Sequence, residues 1–98
     1  MISPKGPQTT TEISSDERLS VVIRDRGGVL YEGKVDSLSS VNDQGPFDVL
    51  SLHANFISII KKSVSLRYRG KIVEEMPVET GVMIVKENSV EVYLGILH

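Results

Sequence analysis

The amino-acid sequence predicts an all-β domain, a β-sandwich or closed barrel of about nine short strands. Three observations carry that expectation. Apolar residues recur at every second position in three places: Leu19, Val21, Ile23; Val64, Leu66, Tyr68; and Val90, Val92, Leu94. Such alternation gives a strand one face for a core and another for solvent. Turn formers (Gly27-Gly28, Gly45-Pro46, Gly70-Lys71, Thr80-Gly81, Asn88) punctuate the chain at short intervals. Nowhere does the helical period of about 3.6 residues persist.

Residues 1–17, MISPKGPQTTTEISSDE, hold only Met1, Ile2 and Ile13 as sizeable apolar residues. Such a segment cannot bury enough surface to offset the entropy of ordering. It is expected to be a disordered polar tail; a partner-binding arm or an expression remnant are the alternatives. The domain is expected to occupy residues 18–98. Leu19–Ile23 opens it, Gly27-Gly28 turns the chain because glycine accepts a positive φ, and Val29–Glu32 returns as a hairpin partner. Gly33 is expected to break or kink that strand. In Lys34–Val41, Val35 and Leu38 are weaker core candidates. Pro46 has no N–H for a ladder, which assigns it to a strand start or bulge ahead of Phe47–Leu50. Ala54–Lys61 suits a helical turn or a strand equally. Residues 64–68 and 72–78 form a hairpin with a two-residue loop at Gly70-Lys71, and Pro77 makes the second strand an edge or a bulge. Val82–Lys86 is apolar on both faces, Asn88 turns the chain, and Val90–Leu94 closes it.

The totals exclude several functions. With 98 residues the chain makes one domain, and folding at this size buries only about 60–65% of the unfolded surface. Little is left for a deep substrate cleft. Eleven basic against thirteen acidic residues, a formal charge of −2, argue against a general nucleic-acid binder. The absence of cysteine removes disulfides and thiolate metal sites and suits a reducing cytosol. Apolar runs are too short to span a bilayer, and the polar N-terminus lacks the apolar centre of a signal peptide. A soluble domain without direct membrane insertion is expected.

Gln44–Asn55 is the most informative stretch and the expected contact surface. Asp48, Ser51 and His53 crowd into it, but on one strand Asp48 and His53 would point to opposite faces, whereas triad members converge from separate elements. One internal histidine with scattered carboxylates does not make a metal site. His53 reads either as a turn histidine bonded to backbone or as an interface contact. Phe47 either plugs the core or stands out as an aromatic anchor. Gly27-Gly28 lacks the Lys-Ser/Thr ending of a phosphate loop, and Asn42–Gly45 is a polar turn rather than a calcium loop. Arg67, Arg69 and Lys71 form a basic strip, solvated or in contact with an acidic partner.

In order, Leu19-x-Val21-x-Ile23, Tyr31–Ser37, Gly45-x-Phe47-x-Val49-Leu50-x-x-His53-Ala54, Glu79–Val82 and Val85-Lys86-x-Asn88-x-Val90-x-Val92 resemble the N-terminal domain of the F-type ATP synthase epsilon subunit, called delta in mitochondria. The likeness runs over residues 19–96. It implies a flattened β-sandwich of about ten strands and a non-catalytic subunit without cofactor. In that family the domain sits in the central stalk of a proton- or sodium-translocating synthase and ties gamma to the c ring. By this resemblance Gln44, Gly45, Pro46, Phe47 and Asp48 face the c ring, and His53, Ala54 and Ser58 face gamma. The protein is then cytoplasmic, peripheral on the inner face of the plasma membrane. Three departures stand out. The family continues into a regulatory pair of helices, so a chain ending at His98 is expected to lack that hairpin. Ser51-Leu52 replaces the family's Pro-Gly, and Pro46 stands where an acidic residue is frequent. The alternative is a free-standing sandwich adaptor for another protein. A carbohydrate-binding sandwich is disfavoured by two Phe, three Tyr and no Trp.

Overall fold

A computed structural model of the chain describes residues 18–50 and 54–95, and this part is built from strands and tight turns. Seven strands follow one another: β1 (Leu19–Asp25), β2 (Gly28–Val35), β3 (Ser37–Asn42), β4 (Gly45–Leu50), β5 (Ala54–Tyr68), β6 (Lys71–Glu87) and β7 (Ser89–Leu94). They hydrogen-bond in the order β2-β1-β7-β6-β5-β3-β4. Every pairing is antiparallel except β1 with β7, which is parallel. The nine runs read from the sequence are all present, but two pairs of them are fused. β5 and β6 span 15 and 17 residues and run through what the sequence presents as separate strands.

Irregularities at mid-length turn this one sheet into two layers. Glu79 and Thr80 of β6 lie opposite the single residue Lys61, because Ile60 pairs with Gly81 and Lys62 with Val78. The β3–β5 register slips at the same level, and Lys62 takes a φ of 76°. Such bulges bend a strand and increase its twist. The Ser40 hydroxyl donates to the carbonyl of Ser63 at 2.8 Å and satisfies a backbone group at the bend. One layer therefore holds β2, β1, β7 and the adjoining halves of β6 and β5. The other holds the remaining halves of those two strands with β3 and β4.

The core forms where the alternating faces meet. Leu19, Val21 and Ile23 of β1, Met83 and Val85 of β6, and Val90, Val92 and Leu94 of β7 join one cluster with Leu38, Val49, Val64 and Leu66. Val35 and Leu38, weak candidates in the sequence, are fully buried. Ala54–Lys61 is strand throughout, since one side of it pairs with β6. Gly33 does not break β2, which continues through it to Val35. The ring of Tyr31 occupies the space a side chain at Gly33 would fill, its hydroxyl 3.0 Å from that Cβ position. The two-residue hairpin loop is Arg69-Gly70, one residue earlier than read, both with positive φ. Pro46 and Pro77 both lie on strand segments with a described neighbour on one side only, where a missing N–H costs no ladder bond. The tail, residues 1–17, lies outside the described residues.

Candidate functional site

The β3–β4 turn is shaped by its own polar side chains. The Asn42 carboxamide oxygen accepts the N–H of Gln44 at 2.9 Å, closing a local turn of the kind asparagine favours. Gly45 completes it at a φ of 120°, a conformation other residues rarely adopt. Two contacts dock this turn on β5: the Asn42 side-chain amide donates to the Ser58 hydroxyl at 3.2 Å, and Lys61 Nζ pairs with Asp43 at 3.0 Å. Between turn and strand runs an open groove of about 420 Å³, lined by residues 42–44 and 56–59.

Beside the groove, β5 presents an apolar outer face. Ile57 is 71% exposed and Ile59 60%. Their partners across the ladder, Ile84 and Val82, are half-buried on the same face. A second groove of about 580 Å³ follows residues 55–57 and 84–86. Farther along that face the surface turns polar. Glu91 pairs with Ile84 and Tyr93 with Val82. The Tyr93 hydroxyl donates to Glu91 Oε1 at 2.9 Å, and the Arg24 guanidinium lies 5.6 Å from the Tyr93 ring centre. That hydrogen bond, with partial desolvation and the charge of Glu91, pushes the Tyr93 phenol above its usual range; Arg24 opposes the shift.

The residues named from the sequence fall around this groove. Gln44 and Gly45 form the turn. Pro46 and Asp48 point outward from β4, whereas Phe47 points inward, half-buried on the core, its ring edge-to-face with Phe56 at 6.4 Å between centres. The Asp48 carboxylate accepts the Ser39 hydroxyl at 2.6 Å, and Ser39 in turn accepts from Arg67 at 3.2 Å. Ala54 starts β5 opposite Glu87, and Ser58 sits under the turn. His53 and Ser51 lie outside the described residues. Gln44 and Ser58, assigned to two different contacts, thus border one groove. Sequence reasoning missed Ile57, Ile59 and Ile84. The signal was present: Ala54–Ile60 carries no charge and is apolar on both faces. With helix and strand both open, its outward side could not be assigned.

Among the described residues no three His, Cys, Asp or Glu side chains gather as metal ligands, and no helix is long and apolar enough to cross a membrane. What the domain does present is an exposed apolar strip with a polar rim, the anatomy of a protein–protein contact. Fold and surface together define a β-sandwich interaction domain. Residues 18–95 match the family described as ATP synthase, Delta/Epsilon chain, beta-sandwich domain, and the chain belongs to that family. It is 31% identical over 75 residues to the ATP synthase epsilon chain of Leptospira borgpetersenii serovar Hardjo-bovis, covering 76% of this chain and 59% of that one. To the epsilon chain of Leptospira interrogans serovar copenhageni it is 28% identical over 78 residues, covering 80% and 61%. The chain thus spans about three-fifths of the curated relatives it matches. Its fold also superposes on a chain of the Euglena gracilis mitochondrial ATP synthase with a TM-score of 0.72 at 13% identity, covering 80% of this chain and 51% of that one. A chain of the Tetrahymena thermophila mitochondrial ATP synthase central stalk and c-ring gives 0.63 at 10%, covering 79% and 63%.

Proposed function

We propose that this domain is a non-catalytic, epsilon-type central-stalk subunit of a proton- or sodium-translocating F-type ATP synthase, linking gamma to the c ring. The observation that carries the proposal is the continuity of the surface. A polar turn, residues 42–45, is fastened onto an uncharged strand whose exposed isoleucines adjoin it. An apolar strip suits a permanent contact with gamma, along Ile57 and Ile59, with Ser58 beside it under the turn; His53 and Ala54 are proposed for the same contact from the family resemblance. The turn and the outer face of β4, Gln44 to Asp48, suit the polar loops of the c ring. Phe47 supports that face from within. The assembly names of the similar structures, one a c-ring complex and one a central stalk with c-ring, point the same way. In this reading the protein works on the cytoplasmic side, peripheral on the inner face of the plasma membrane.

The test is binding of purified gamma to wild-type chain and to an Ile57→Asp/Ile59→Asp variant. Both side chains are exposed, so the variant keeps its melting temperature within a few degrees. Affinity for gamma is expected to fall at least roughly a hundredfold, as for removal of interface anchors. Unchanged affinity of a folded variant moves gamma elsewhere. No binding by the wild-type chain favours the adaptor alternative.

A further inference from the structure

We infer that Arg24 is a specificity-determining residue of the contact proposed above and takes a carboxylate of the docked partner. The inference rests on that reading and extends its surface from two strands to five. Residues opposite each other on adjacent strands share a face, so the pairings trace three rows across one outer face. Ile59, Val82, Tyr93, Arg24 and Val29 form the first row, and Ile57, Ile84, Glu91, Val22 and Glu32 the second. In the third, Lys34 and Lys86 flank Ser20 and Ser89. The isoleucine strip of β5 therefore does not stop at β6. It runs on through Tyr93 and Val22 to Val29 on β2, which is 54% exposed.

Arg24 is half-buried in the first row, its guanidinium carbon 5.6 Å from the centre of the Tyr93 ring. Stacking of this kind fixes the plane of a guanidinium. Its Nε is buried and has no hydrogen-bond partner, a cost that folded proteins normally offset with an acceptor. Two carboxylates close in the fold are engaged elsewhere. Glu91, in the neighbouring row, accepts the Tyr93 hydroxyl at 2.9 Å, and Asp25 accepts the N–H of Gly27 at 2.7 Å. A guanidinium held flat with a donor unmatched is a preorganised receptor for an acid from outside. The charge of the face favours the same partner. Its three rows carry Arg24, Lys34 and Lys86 against Glu32 and Glu91, although the whole chain carries −2. Arginine and tyrosine among apolar residues are the composition of an interface centre, and the third row is its polar rim. Three strand spacings separate β5 from β1, so the partner's carboxylate is expected about 14 Å from the apolar residues that meet Ile59.

The test has two parts. Phenylglyoxal, which modifies guanidinium groups, is applied to the purified wild-type chain and to native membranes carrying it, and the modified sites are mapped by mass spectrometry. Arg24 is expected to react in the purified chain and to lose that reactivity in the membranes. Purified gamma is then titrated with wild type and with an Arg24→Gln chain of unchanged melting. The substitution should weaken binding roughly thirtyfold and make it less sensitive to salt. Gamma that binds Arg24→Gln as tightly as wild type, yet fails to bind Ile57→Asp/Ile59→Asp, overturns the inference and leaves the gamma contact standing. No binding of gamma by the wild-type chain removes that contact instead, and Arg24 left reactive in the membranes overturns the inference whichever partner is present. Protection of the purified chain by phosphatidylglycerol vesicles alone, or by raising its own concentration, overturns it too, giving the face to lipid or to a second copy.

Discussion

Gly81 shows how little room the inner face leaves. A Cβ built there would sit 2.8 Å from a Leu94 methyl and 3.0 Å from the Tyr93 carbonyl oxygen. The carbonyl belongs to a paired strand and cannot retreat, so Gly81→Ala is expected to cost about 1–3 kcal/mol, as overpacking does. A urea midpoint unchanged from wild type would contradict this packing. Tyr93 gives a residue-scale test by pH. Its folded pKa is raised, so the protonated phenol is the form the fold favours. The stability this adds is complete below the ordinary tyrosine range and is lost as pH rises through the folded value. Ultraviolet titration should therefore show a phenol ionising above the usual range, and Tyr93→Phe should remove that step. A titration curve that keeps it after the substitution assigns it elsewhere.

At the scale of elements, β5 shows what the sequence makes legible and what it hides. Strands with one wet face could be placed because period two separates core from solvent: Leu19, Val21, Ile23 and Val90, Val92, Leu94 are buried as expected. Ala54–Ile60 could not, because residues on both of its faces are apolar for different reasons. Ile60 is buried in the core, while Ile57 and Ile59 are exposed. Gly33 misled for a related reason: its missing side chain serves a ring from the same strand, Tyr31, and not a turn. The fusion of strands across the bend was hidden because a bulge has no composition of its own. Glu79 and Thr80 look like turn residues, yet they are the surplus that lets β6 pass from one layer to the other. Met83→Ala, on the buried side of β6, is expected to cost about 2–5 kcal/mol. Ile57→Ala, on the exposed side of β5, should stay within about 1 kcal/mol in the same denaturant titration. Equal costs would mean that Ile57 is covered within the chain itself.

At the scale of the whole molecule, the domain is one cluster of buried side chains gripped by two long strands that belong to both layers. Close-packed interiors transmit strain rather than absorb it, and a sandwich whose layers share two continuous strands has little freedom to shear. That is the mechanical property required of a body that couples two parts of a rotor. Electrostatics contribute little to it. The Lys61–Asp43 ion pair is largely solvent-exposed, so Asp43→Asn should barely move the melting temperature. The most direct test of the central-stalk reading is purification of the tagged chain from its native membranes in mild detergent, wild type beside Ile57→Asp/Ile59→Asp. The account predicts gamma and the c ring in stoichiometric amounts with wild type, and loss of gamma with the variant. Purified wild-type chain that brings neither gamma nor the c ring would contradict it.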